Sequence, residues 1–104
     1  MLEKQLEKKL KTEVEKLGGL CLKLVTPGFT GIPDRLVIMP GGNNYFIEMK
    51  APGGELSERQ KTVTGMLKSL GCNYFLVSNE IQLDTLTGWL KFQTKHGIIK
   101  RNEV

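Results

Sequence analysis

Residues 31–50, GIPDRLVIMPGGNNYFIEMK, predict two strands that pair through a tight turn. Short apolar runs cover residues 35–39 and 45–50, and the sequence PGGN lies between them at residues 40–43. Glycine and asparagine adopt the backbone angles that tight hairpin turns require. The stretch therefore predicts an antiparallel β-hairpin, and the remaining elements can be placed outward from it.

A helix and a strand are predicted before the hairpin. Leucine and valine recur at three- and four-residue spacing over residues 2–17, which is typical of an amphipathic helix, and two glycines follow it at Gly18 and Gly19. The sequence LCLKLVT predicts a strand over residues 20–26. Residues 27–33 are rich in glycine and proline and predict a loop.

A helix, a strand and a final helix are predicted after the hairpin. Ser57 and Gln60 have the spacing of a capping box, which marks a helix start, and Asn79 has the same role for the last helix. Residues 73–78 predict the strand between the two helices. The predicted apolar positions of these helices are Val63, Met66, Leu67, Leu70, Ile81, Leu83, Leu86 and Leu90.

The resulting order, α-β-β-β-α-β-α, predicts an α/β fold. The hairpin is antiparallel, whereas a strand-helix-strand crossover places its strands parallel. We therefore expect an α-β-β-β-α-β core whose mixed central sheet is flanked by helices. A chain of 104 residues predicts one domain over residues 1–104.

Composition limits the classes of function. With two cysteines, Cys21 and Cys72, and one histidine, His96, the chain cannot assemble an ordinary four-ligand Cys/His zinc site, so we expect reduced cysteines and a surface histidine. No apolar run approaches the roughly 20 residues that cross a bilayer, which favours a cytoplasmic protein. The net charge of +4 is compatible with a polyanionic partner but is a weak signal alone.

The hairpin also carries the residues with chemical potential. Side chains alternate along a strand, so Glu48 and Lys50 share one face, and antiparallel pairing brings Asp34 beside Glu48. Two close carboxylates repel unless a cation compensates, and Mg²⁺ or Mn²⁺ suits such oxygen ligands, to which the backbone carbonyl of Met49 could add a third. Lys50 could orient an attacking water, so the arrangement suits phosphodiester hydrolysis. The plainer interpretation is a salt bridge at the end of the strand.

These residues also resemble a known motif. Pro33-Asp34 followed by Glu48-Met49-Lys50 is similar to the PD-(D/E)XK nucleases, and GIPDRLVI followed by FIEMKAPGGELSERQ resembles the VRR-NUC (virus-type replication-repair nuclease) domain. The resemblance implies a restriction-endonuclease-like core and a Mg²⁺- or Mn²⁺-dependent DNA endonuclease. Stand-alone phage members of the family imply a homodimer that is selective for branched DNA such as the Holliday junction, with roles in replication, recombination or repair.

The resemblance implies further site residues. A glutamate of the first helix would complete the metal site, and helical phase favours Glu3, with Glu7 as second choice. Gln60 matches a family glutamine that contacts the site, although it could serve only as a helix cap. Lys23 matches a basic substrate-binding position, and Arg35 is a further candidate for phosphate contact.

Two other functions remain open from the sequence. The chain could be a nucleic-acid binding module on a nuclease fold, inactive alone, or an interaction protein whose carboxylates form ordinary salt bridges. Metal-dependent cleavage would separate the first of these from a nuclease. The sequence does not distinguish DNA from RNA as the substrate.

Overall fold

The computed structural model describes residues 1–95, and it confirms the predicted element order. The predictions for His96 and the basic tail lie outside the described residues. The elements are α1 (Glu3–Lys16), β1 (Leu20–Lys23), β2 (Arg35–Ile38), β3 (Asn44–Met49), α2 (Glu58–Ser69), β4 (Tyr74–Val77) and α3 (Glu80–Lys95). None of the described helices is long and apolar enough to cross a membrane.

The four strands form one mixed sheet in the order β1-β2-β3-β4. The first three strands pair antiparallel, with Arg35 opposite Ile47, and β3 pairs parallel with β4, with Phe46 opposite Tyr74. Helix α2 makes the crossover between the two parallel strands. The predicted mixed sheet is thus confirmed.

One face of the sheet carries the apolar core. Helix α1 contributes Leu6, Leu10 and Val14, all fully buried, as its three- and four-residue spacing predicts. At the end of α1, a Cβ on Gly19 would lie 2.9 Å from the Ile38 carbonyl oxygen, so only glycine lets the helix and sheet approach this closely. The sheet and α3 supply the remaining buried members of this cluster, namely Cys21, Val37, Met39, Tyr45, Ile47, Met49, Val77, Leu83, Leu86 and Leu90.

The opposite face is covered more thinly, by α2, and here two predicted buried positions are wrong. Val63 and Leu67 are buried, but Met66 and Leu70 are exposed, Leu70 by 77%. Leu70 follows the last residue of α2 and lies in its C-terminal cap. In α3, Ile81 is 79% exposed, which is also contrary to prediction. It lies two residues before the buried Leu83, and side chains two residues apart on a helix point to different sides of it.

Strand β1 is shorter than the predicted residues 20–26. It ends at Lys23, and only one further backbone bond, from the Leu24 N–H to the Asp34 carbonyl (2.9 Å), extends the pairing. The partner segment then contains Pro33, which has no N–H with which to continue a ladder. The other strand ends differ from prediction by at most one residue.

Candidate active site

The pairing of β2 with β3 brings Asp34 and Glu48 together. Arg35 lies opposite Ile47, so Asp34, directly before β2, falls opposite Glu48, the penultimate residue of β3. Their carboxyl groups are in hydrogen-bonding contact. The predicted convergence of two carboxylates at one end of the hairpin is therefore present in the structure.

The backbone of Met49, opposite Pro33, orients the Asp34 carboxylate. Continuing the register places Pro33 opposite Met49, and the Met49 N–H donates to Oδ2 of Asp34 at 2.8 Å. In an antiparallel ladder the N–H and C=O of one residue point to the same neighbouring strand. The Met49 carbonyl therefore faces this site too, and Pro33 has no N–H to donate to it. The Met49 N–H thus fixes the carboxylate, and the proline leaves the Met49 carbonyl oxygen available to a ligand.

Glu48 is a buried carboxyl group with an unusual acidity. Its side chain is 2% exposed. Burial raises the pKa of Glu48 to about 8, and the hydrogen bond and charge of Asp34 act in the same direction, while the Lys50 charge opposes them. Near neutral pH the Glu48 carboxyl group therefore tends to hold its proton.

A divalent cation fits this pair. Within residues 1–95 no group of three or more His, Cys, Asp or Glu side chains is arranged to hold a metal ion. Mg²⁺ is commonly held by only one or two carboxylates and keeps several waters. Asp34, Glu48 and the Met49 carbonyl supply hard oxygen donors of that kind, and a cation would replace the Glu48 proton.

Gln60 combines the two roles considered from the sequence. Its N–H donates to Ser57 Oγ (3.1 Å) and its Oε1 accepts from the Ser57 N–H (2.8 Å), which is the predicted capping box. Its Nε2 also donates to Oε1 of Glu48 at 3.3 Å. The cap fixes the amide orientation, so the N-terminus of α2 holds the buried carboxylate in place. A catalytic contribution of Gln60 stays a prediction.

Lys50 lies directly after β3, beside the carboxylates. Its N–H donates to the Val77 carbonyl at 3.0 Å, which ties the residue to β4, and its side chain is half-buried. Its charge lowers the pKa of Glu48, against the larger effects of burial and Asp34. The structure thus places the ammonium close to the carboxyl pair, as the strand alternation predicts.

The remaining predicted residues are less closely joined to the site. Glu3 acts on Glu48 through its charge alone, as the smallest of the effects on that group. Glu7 accepts from Arg35 Nε at 3.1 Å in a largely buried ion pair, so each residue already compensates the other's charge. Lys23 is exposed and pairs in register with Arg35. The proposed ligand roles of Glu3 and Glu7 and the substrate contacts of Lys23 and Arg35 stay predictions.

Tyr74 is a residue near the site that sequence reasoning missed. It lies opposite Phe46, on the face of the sheet that carries Glu48. Burial raises the pKa of Tyr74, Thr64 lowers it, and the carboxylates of Glu48 and Asp34 raise it further. The hydroxyl is buried and forms no hydrogen bond of acceptable geometry among the described residues, so the Thr64 contact is a poor one. The register of β3 with β4 would have revealed this position.

Arg59 is the second missed residue. It directly precedes Gln60, and its Nε donates to the Thr30 carbonyl at 3.1 Å. Its guanidinium lies over the ring of Phe29, 5.0 Å from the centroid. The sequence signal was its position beside Gln60, but its contact with a loop about thirty residues earlier required the structure.

Comparison with known proteins agrees with this fold. No protein-family model matches the sequence. A protein of Acyrthosiphon pisum secondary endosymbiont phage 1, named "Putative nuclease p44", is 40% identical over 78 residues, which cover 75% of this chain and 84% of the phage protein. A solved structure described as a VRR_NUC domain superposes with a TM-score of 0.78 at 34% identity, covering 83% of this chain and 94% of that one.

Proposed function

Because this chain belongs to the VRR-NUC family of nucleases, we propose that it is a Mg²⁺- or Mn²⁺-dependent endonuclease that hydrolyses phosphodiester bonds in DNA. The observation that carries the proposal is the contact between the buried Glu48 carboxyl group and that of Asp34, with Lys50 beside them. A buried carboxyl group next to a second one stabilises a fold poorly, because burial removes its hydration. The presence of this pair at the end of the hairpin is better explained by a bound cation.

In this proposal Asp34, Glu48 and the Met49 carbonyl would hold the ion. When bound, the ion polarises the scissile phosphate and makes a coordinated water more acidic. Gln60 holds the Glu48 carboxylate in one orientation through its Nε2. The Lys50 ammonium orients the attacking water and balances the negative charge that develops on the phosphate oxygens.

The finer parts of the proposal concern substrate, assembly and location. We propose selectivity for branched DNA, such as a Holliday junction, and action in replication, recombination or repair in the cytoplasm of a bacterium or phage-infected cell. A chain of 104 residues covers few phosphates, so a two-fold homodimer would let it engage two strands symmetrically. Light scattering across a concentration series tests the dimer, and a monomer at assay concentration would contradict it.

The proposal is tested by incubating the protein with Mg²⁺ or Mn²⁺ and labelled single-stranded, duplex, flap and four-way-junction DNA. Wild-type protein is compared with Glu48→Ala and Lys50→Ala variants, and Glu15→Ala, which removes an exposed carboxylate of α1, is the matched control. We expect metal-dependent cleavage that both site variants lose and the control keeps. Cleavage that survives Glu48→Ala would overturn the assignment.

One observation favours the second candidate, a nucleic-acid binding module that does not cleave alone. Among residues 1–95 the acidic group contains two carboxylates and no third side-chain ligand. Such a module would shift labelled DNA in a gel without producing fragments under any metal. The same assay therefore separates the two functions.

A further inference from the structure

Beside the proposed active site, a short loop presents an aromatic ring. The Phe29 N–H donates to the Thr26 carbonyl at 3.1 Å, and Thr26 Oγ1 donates to the Phe29 carbonyl at 2.8 Å. Gly28, at φ +81°, supplies the left-handed backbone that the intervening turn requires. The turn is therefore closed by two hydrogen bonds, and it holds Phe29 with 40% of its surface exposed.

The loop is attached to the first turn of α2 through Arg59. The Arg59 Nε donates to the Thr30 carbonyl, and the guanidinium lies over the Phe29 ring at 5.0 Å. A Cβ on Gly31 would lie 2.9 Å from the Arg59 backbone carbonyl oxygen, so the two segments are in close contact. Arg59 and Phe29 therefore form one preorganised surface.

The charge of Arg59 is available to a ligand, unlike that of Arg35. Arg35 is largely buried and paired with Glu7. In the described part of the chain Arg59 is exposed and forms no ion pair, and its neighbour Glu58 is paired with Lys61 at 3.3 Å. With Nε held by Thr30, the remaining guanidinium N–H groups can bind a phosphate.

Each of the two segments that form this surface is connected to a residue of the proposed site. Gln60, the residue after Arg59, donates to Glu48, and the loop that carries Phe29 leads directly into Asp34. A nucleotide bound here would lie next to the phosphodiester that the carboxylates address. An exposed ring gains little from duplex DNA, because a paired base is already stacked on both faces, whereas an unpaired base has a face free.

We propose that Arg59 and Phe29 bind an unpaired nucleotide beside the cleaved bond, with the guanidinium on its phosphate and the exposed part of the ring against its base. The inference rests on the proposed nuclease function and deepens it, since it gives a physical source of selectivity for DNA with an unpaired arm, such as a flap or fork, over fully paired DNA. Phe29 and Arg59 act in it as specificity residues.

The test measures affinity and cleavage separately on two fluorescein-labelled DNAs, a fully paired duplex and a fork with an unpaired arm. Affinity is measured by anisotropy in EDTA, where cleavage is not required, and KM and kcat are measured with Mg²⁺ or Mn²⁺. Wild-type protein is compared with Phe29→Ala, Phe29→Leu and Arg59→Ala. Lys61→Ala removes the same charge from the same helix and is the matched control.

We expect Phe29→Ala and Arg59→Ala to weaken fork binding about five- to a hundredfold, the range that alanine substitution of stacking residues gives. Duplex binding should change about two- to threefold, as one lost phosphate contact predicts, and Lys61→Ala should affect both DNAs equally. Phe29→Leu keeps the apolar packing of the loop, so a loss of fork selectivity in this folded variant identifies stacking.

Three results would overturn the inference. They are equal binding of fork and duplex by the wild-type protein, equal losses in Arg59→Ala and Lys61→Ala, and full fork selectivity in Phe29→Leu and Phe29→Ala. A protein that cleaves neither DNA but prefers the fork would instead contradict the proposed nuclease function while leaving this surface in place.

Discussion

The two sides of strand β3 differ in what they contact. Tyr45, Ile47 and Met49 face α1 and α3 and are buried among apolar side chains. Their alternating neighbours include Glu48, which is just as buried but is surrounded by the Asp34 carboxyl, the Lys50 charge and the Gln60 amide. One strand thus supports the fold with one set of side chains and holds the acid pair with the other. Substitutions on the two sides should therefore have opposite consequences.

The largest effect is expected from Glu48→Gln. The variant keeps the shape and the burial but removes a proposed ligand of the metal. We expect the variant to lose about 4 kcal/mol of transition-state stabilisation, which lowers kcat/KM roughly thousandfold. The free energy of unfolding should stay the same or increase, because a buried carboxyl group is removed. Steady-state cleavage and urea unfolding measure the two quantities, and a variant that is inactive only because it is unfolded would refute the comparison.

Ile47→Ala should show the reverse pattern. The side chain is fully buried in the core, so its truncation should lower the free energy of unfolding by about 2–5 kcal/mol. The fraction that remains folded should cleave within about threefold of the wild-type rate, because Ile47 lies on the opposite side of the strand from Glu48. A threefold change corresponds to less than about 1 kcal/mol of transition-state stabilisation. Leu70→Ala, at an exposed position, is the control and should change stability by no more than about 0.5 kcal/mol. A thousandfold loss of rate in folded Ile47→Ala protein would show that the two sides are not separable.

Gln60 connects the fold to the acid pair, and two variants separate its roles. Ser57→Ala removes the cap but keeps the Gln60 side chain, and should cost about 1 kcal/mol of stability with little change in rate. Gln60→Ala also removes the contact with Glu48 and should lower activity about 10- to 100-fold, as is usual for groups that orient metal ligands. Equal rates in the two variants would reduce Gln60 to a helix cap.

The smallest effect is a pH dependence of stability in EDTA. The pKa of Glu48 is about 8 in the folded protein, against 4.5 for an ordinary glutamate, so the folded state binds the proton more tightly than the unfolded state. The free energy of unfolding should therefore decrease as pH rises from about 5 to 8, by on the order of 1 kcal/mol or more. Glu48→Gln should remove this decrease. An unchanged pH profile in that variant would mean that the proton is bound elsewhere.

The sequence predicted one side of the sheet better than the other. Strand alternation and helical spacing placed Leu6, Leu10, Val14 and Ile47 correctly, because the apolar core follows local periodicity. The acid pair was also predictable, since antiparallel pairing places Asp34 opposite Glu48. The exposure of Leu70 and the contact of Arg59 with Phe29 were not, because each depends on which segments meet after folding. The ion pair of Glu7 with Arg35 was not predictable either, for the same reason.

The central claim is that a divalent cation bound by Asp34 and Glu48 replaces the proton that Glu48 holds near neutral pH. Calorimetric titration of Mn²⁺ into the protein at pH 7, repeated in two buffers of different ionisation enthalpy, counts the protons released on binding. We predict binding with the release of a proton by the wild-type protein, and neither in Glu48→Gln. Equal Mn²⁺ affinity in the two proteins, or binding without proton release, would contradict the claim that this pair is the metal site.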